Sequence, residues 1–117
     1  MKILITGANG MLAKAIRNEF KGEELICTDV AELDITNLEA VEKFVADVKP
    51  NLVINCAAYT AVDKAEEQPE LAYKINAIGP RNLAIASKQN DATLVHISTD
   101  YVFGGDATSP YLEFDPT

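Results

Sequence analysis

The sequence predicts an α/β fold built on a doubly wound parallel sheet, and three observations carry that prediction. Short β-branched runs alternate with longer stretches of helical periodicity. The first strand run is apolar throughout rather than alternating, the pattern of a strand covered on both faces. A glycine turn joins that run directly to the first helical stretch. The chain has 117 residues, room for one domain or part of one, and its 48% hydrophobic and 24% charged content is an ordinary globular mix.

The elements follow in order. Lys2 to Thr6 reads as a strand, and Met11 to Phe20 carries Leu12, Ile16 and Phe20 at helical spacing. Leu25 to Thr28 is a second strand, closed by Asp29. Thr36 or Asn37 can cap a helix whose Leu38, Val41, Phe44, Val45 and Val48 form one stripe, and Pro50 ends it. Leu52 to Cys56 is a buried strand, and Ala61 to Glu67 a short helix restarted by Pro69. Leu71, Ile75, Ile78, Leu83 and Ala86 then run to about Gln89, with Pro80 inside the pattern. Pro80 has no N–H, so the carbonyl of Asn76 loses its helical partner there and needs another, for which a bound water is a candidate. Thr93 to Ile97 is the last strand, with His96 read as a core residue between Val95 and Ile97. The remainder is polar loop rich in Gly, Pro and Asp.

The layout is expected to be cut short after the fifth strand region, because no returning helix follows the last apolar run. Ten Lys and Arg stand against 18 Asp and Glu, a net charge of -8 that would repel a nucleic-acid backbone. No apolar run reaches the ~18 residues of a membrane span. Cys27 and Cys56 lie in apolar runs, as free thiols of a reducing compartment do, so a cytoplasmic location is expected. No metal site is expected.

Gly7, Asn9, Gly10, Met11, Leu12 and Ala13 lie between the first strand and first helix. Gly7 permits a tight turn, Gly10 lets backbone approach a pyrophosphate at the helix N-terminus, and Ala13 allows close helix–strand packing. Asp29 ends the second strand about 20 residues further on, where a carboxylate can accept hydrogen bonds from an adenosine ribose. Val30 and Ala31 follow it, so no adjacent cation offers a partner for a 2′-phosphate. Asp34, Ile35, Ala57, Ala58 and Tyr59 each fall just beyond a strand end, the side on which such sheets bind ligands. Ser98 and Thr99 place hydroxyls at the same edge, although a pair of hydroxyls there also serves for capping or turns.

Gly7 to Ala13, the run from Asn55 to Glu66 and the run from Ser98 to Phe103 together resemble the dTDP-4-dehydrorhamnose reductase family of extended short-chain dehydrogenases. The resemblance covers essentially the whole chain in order, and it implies a Rossmann-like fold in which residues 1–117 are the N-terminal part of a dinucleotide-binding domain, with the C-terminal substrate domain absent. It implies reduction of a dTDP-4-keto-6-deoxysugar by NADH or NADPH, with NADH favoured by Asp29. It also implies that Thr99 polarises the keto oxygen, and that Gly7, Asn9, Gly10, Met11 and Leu12 hold the pyrophosphate. By the same resemblance Asp29, Asp34 and Ile35 contact adenosine, Ala57, Ala58, Tyr59, Asn76 and Ser98 lie along the cofactor, and Val62 and Tyr101 face the sugar nucleotide. No nucleic acid or membrane is implied as a partner, and the full-length protein has room to act as a homodimer.

The family's proton donor is the Tyr of a Tyr-x-x-x-Lys pair. The residues four beyond the tyrosines here are Asp63, Ala77, Gly105 and Asp115, so no such pair exists in these residues, and the piece alone is expected to be inactive. Two rivals stay open. One is a non-catalytic regulator such as the regulatory subunit of methionine adenosyltransferase; the other is a nucleotide-sugar epimerase or dehydratase.

Overall fold

The structure, a computed structural model, describes residues 1–117, the side chain of Asp100 excepted. The apolar runs form strands β1 (Lys2–Thr6), β2 (Glu24–Thr28), β3 (Leu52–Asn55) and β4 (Thr93–His96), all parallel, in the order β2-β1-β3-β4. The sheet thus holds four strands, and no fifth occurs among the described residues. Beyond β4 the glycine- and proline-rich segment forms a 3-10 turn at Asp100–Val102 and a turn in which the Asp115 N–H donates to Leu112 O at 3.1 Å.

Two layers of helix cover the sheet, as parallel strands require. Helix α1 (Met11–Glu19) packs on the face presented by Ile3, Ile5 and Ile54, with the small side chain of Ala13 fully buried at the contact. Helices α2 (Leu38–Val48) and α5 (Gly79–Gln89) cover the opposite face, where Leu4 and Val53 meet Val41, Val45, Leu83 and Ala86. Full burial of each such Val, Leu or Ile contributes roughly 1.5–3 kcal/mol. Along β1 the alternation of Ile3 and Ile5 with Leu4 feeds both cores.

Local chemistry sets the helix boundaries. The Asn37 side chain caps α2 by accepting the Ala40 N–H at 3.1 Å, while the Thr36 hydroxyl turns instead to Asp34 Oδ1 at 2.8 Å. The helix ends at Lys49, whose left-handed φ of 49° turns the chain while its N–H still bonds Val45 O at 2.8 Å. Termination therefore precedes Pro50. Short α3 (Val62–Glu67) gives way to α4 (Pro69–Tyr73), which runs through a π-turn at Lys74–Ile78 into α5. In that turn the Gly79 N–H reaches back five residues to the Lys74 carbonyl. The wider turn accommodates Pro80, which offers no N–H to the ordinary ladder.

The expectation for His96 is corrected. β4 is an edge strand, and His96 at its carboxyl end is exposed despite its apolar neighbours. Leu94 packs against the α2/α5 core, but Val95 points to the other face and is 42% exposed. No helix among the described residues is long and apolar enough to cross a membrane.

Lys49 supplies a stability test. The left-handed conformation costs an L-residue roughly 1–2 kcal/mol. Glycine avoids that cost but loses about 0.4–1 kcal/mol through unfolded-chain entropy. Lys49→Gly is therefore expected to raise stability by roughly 0.5–1 kcal/mol. Urea unfolding checks it, as a higher midpoint at unchanged slope.

Candidate functional site

The strand order reverses between β1 and β3: the chain leaves β1 for β2 on one side and returns as β3 on the other. In open parallel sheets this switch point opens a crevice at the carboxyl ends of the strands. Gly7 leaves β1 there with φ 66°. A Cβ on Gly7 would lie 2.6 Å from the Ala57 N and 2.8 Å from the Cys56 carbonyl carbon, so only glycine lets the first turn cross the exit of β3. The Gly10 N–H bonds Gly7 O at 3.0 Å and closes the turn.

Helix α1 starts from this turn with no side-chain cap and no acidic residue in its first turn. Its N-terminal N–H groups and the positive end of its dipole are thus suited to an anion. Beside them, Asp29 is held by its neighbours. Its Oδ2 accepts the Asn9 N–H at 3.1 Å and its Oδ1 accepts the Val30 N–H at 2.9 Å. Its own N–H donates to Glu32 Oε2 at 2.8 Å, which brings a second carboxylate to the turn.

Beneath the turn runs a polar row. Strand register places Thr28, Thr6, Asn55 and His96 side by side across the sheet. Asn55 is 1% exposed. Its Oδ1 accepts the Thr6 hydroxyl at 2.6 Å and the Ala57 N–H at 3.1 Å, and its amide nitrogen lies 3.0 Å from His96 Nδ1.

These elements enclose a cleft of about 370 Å³. Of the residues singled out in the sequence, Gly7, Gly10, Asp29, Asp34, Ile35, Ala57 and Ala58 line it together. The Asp34 carboxylate is braced by the Thr36 N–H at 2.9 Å and by the Thr36 hydroxyl. Ile35 is seated from behind by α5. Asn82 Nδ2 donates to the Ile35 carbonyl at 3.0 Å, and a Cβ on Gly79 would lie 2.5 Å from Ile35 Cδ1. Among the described lining residues no Lys, Arg or His occurs, so the cleft combines apolar walls with two carboxylates.

Sequence reasoning missed Val30, Leu33, Thr36, Cys56, Leu71 and Ile75, which also line the cleft. Leu71 and Ile75 belong to the helical run that continues to Gln89, and Leu71, 41% exposed, faces this space. Their spacing of four residues was the available signal; it marks a face, not what the face meets. Burial pushes the Cys56 thiol pKa up, which keeps it a neutral wall residue.

Other singled-out residues fall outside the lining. Met11 and Leu12 are exposed on the first turn of α1. Tyr59 is clamped by Asn76: the Tyr59 N–H donates to Asn76 Oδ1 at 2.8 Å, and Asn76 Nδ2 donates to Tyr59 O at 3.1 Å. Val62 is exposed at the start of α3. Ser98 and Thr99 are exposed beyond β4, where Thr99 Oγ1 accepts the Tyr101 N–H at 3.2 Å. Tyr101 itself is exposed.

A family model described as the RmlD substrate binding domain matches residues 1–117. The dTDP-4-dehydrorhamnose reductase of Mycolicibacterium smegmatis is 49% identical over 99% of this chain and 36% of its own length. A crystal structure of a dTDP-4-dehydrorhamnose reductase from Clostridium acetobutylicum superposes with a TM-score of 0.95 at 63% identity, covering 98% of this chain and 42% of that one. A second, from Bacillus anthracis in complex with NADP, gives a TM-score of 0.92 at 48% identity over 98% of this chain and 42% of its own. The chain thus spans well under half the length of these relatives.

Gly7→Ala tests the crossing of the two strand exits. The added methyl meets backbone rather than a movable side chain, and the left-handed φ adds strain. The expected loss exceeds about 2 kcal/mol, measured by denaturant unfolding. Gly22→Ala, whose Cβ meets nothing within 4 Å, serves as the control.

Proposed function

Since the chain belongs to the RmlD substrate-binding-domain family, we propose that it is the cofactor-binding portion of a dTDP-4-dehydrorhamnose reductase, which reduces a dTDP-4-keto-6-deoxysugar with a nicotinamide cofactor. The cleft at the switch point carries this reading, because it gathers from separate crossovers the groups that a dinucleotide needs. Gly7 leaves a cradle that any side chain would fill, and the start of α1 offers N–H groups to a pyrophosphate. Met11 and Leu12 contribute through backbone, consistent with their exposed side chains. Asp29 would accept from the ribose, while Asp34 and Ile35, which line the cleft, would flank the adenosine.

Bound there, the cofactor would supply a hydride for the sugar carbonyl. In this chain Thr99 would orient the keto oxygen through its hydroxyl. Ser98, Ala57, Ala58 and Tyr59 would flank the cofactor, and Val62 and Tyr101 would face the sugar nucleotide from exposed positions. Asn76 would hold Tyr59 in place by its two hydrogen bonds. The proton would come from a tyrosine outside these residues.

NADH is the favoured cofactor in this reading. A 2′-phosphate at Asp29 would meet its carboxylate and that of Glu32, with no described cation in the cleft lining to offset them. In the full-length enzyme, kcat/KM for NADH is expected to exceed that for NADPH, and Asp29→Asn should narrow the gap. A preference for NADPH of about tenfold, or 1.4 kcal/mol, would overturn the assignment.

The 117 residues alone are expected to bind NADH weakly and to turn over no keto sugar. A positioned general acid is worth ~10²–10⁴-fold, and no Tyr here has a Lys four residues on. Calorimetric titration with NADH, paired with an absorbance assay on adding the keto sugar, checks both halves. Turnover within about tenfold of the full-length enzyme would show that the acid lies within these residues.

A further inference from the structure

The polar row under the glycine turn ends on the chain's single histidine, and the hydrogen bonds on the row determine what that ring does. A backbone N–H can only donate, so the Asn55 atom facing the Ala57 N–H is the amide oxygen. The Thr6 hydroxyl converges on the same oxygen. The Asn55 amide nitrogen is thereby left to face His96 Nδ1 at 3.0 Å. An amide nitrogen is a donor only, so Nδ1 must accept. Turning the ring over would set a carbon against the amide and lose the bond.

We infer that His96 is a positioning residue: with its proton on Nε2, it accepts from Asn55 and so ties the carboxyl end of β4, from which Ser98 and Thr99 emerge, to the glycine turn. Among the described strands β4 is paired on one side only, to β3, and it is the Asn55 side chain of β3 that reaches its carboxyl end. The tie runs through one side chain. Thr6 precedes Gly7, Ala57 lines the cleft, and His96 stands three residues before Thr99, and all three converge on the Asn55 amide. A slip of this amide would move the cofactor turn and the Thr99 hydroxyl relative to each other.

The tautomer does not depend on the proposed reductase activity; the consequence for Thr99 rests on it. In the full-length enzyme labelled with 15N at histidine, long-range proton–nitrogen correlation reports the ring, its signals being those lost in His96→Phe. The expected spectrum has a protonated Nε2 and an unprotonated Nδ1. A proton on Nδ1, or signals averaged between the two tautomers, would overturn the inference. Asn55→Asp replaces the donor by an acceptor while keeping an oxygen for Thr6 and Ala57, and it should move the ring proton to Nδ1. An unchanged pattern in that variant, folded as judged by circular dichroism, also counts against it.

In the full-length enzyme, His96→Phe should lower kcat about tenfold or more at nearly unchanged KM for NADH. His96→Asn, whose amide oxygen can take the place of Nδ1, should restore most of the loss. Equal kcat in all three would remove the positioning role. An unsubstituted enzyme that reduces no keto sugar would instead refute the proposed function and leave the tautomer assignment standing.

Discussion

The buried Asn55 amide is the constraint on which the working edge of this sheet depends. Parallel register sets Thr6, Asn55 and His96 in one row, and a polar side chain so deeply buried persists only when its groups are satisfied. Asn55 meets that demand by engaging three different segments. An apolar residue would fill the same volume and leave the Ala57 N–H without this acceptor, at a cost of about 1–3 kcal/mol. Asparagine holds the edge together because its oxygen and nitrogen face different strands.

Directly above the row, the approach of Gly7 to Cys56 and Ala57 brings the exits of β1 and β3 to backbone contact. Side-chain cations are absent from the described lining, so an anionic ligand would depend on the peptide dipoles of α1. The carboxylates of Asp29 and Asp34 lie among the lining residues as well. Opposite polarities thus share one small cavity.

Strands β1 to β4 were legible because each is a bounded apolar run, and α2 because its stripe, its Asn cap and its end agree. The cleft was legible where backbone chemistry demands particular residues: a glycine at positive φ, and an aspartate closing β2. Side chains whose partners come from distant segments were harder to place. His96 sits between Val95 and Ile97 and reads as core, yet register sets it opposite Asn55 as a polar partner. Leu71 and Ile75 have helical spacing, but periodicity cannot tell a core from a cleft wall. Pro80 announced a disturbed helix, and the disturbance took the form of a π-turn whose Asn76 side chain reaches Tyr59.

The composition of the cleft wall has a thermodynamic consequence. Its lining comes from the turn after β1, the segment after β2, the exit of β3 and the helical stretch around Leu71 and Ile75. No one of these segments forms the cavity alone, so a molecule that fills it recognises only the assembled sheet. Such a molecule acts as a folding ligand: at a hundredfold excess over its Kd it would add about 2.7 kcal/mol to the native state. The concentration of that molecule would then set the melting temperature as directly as any residue in the core.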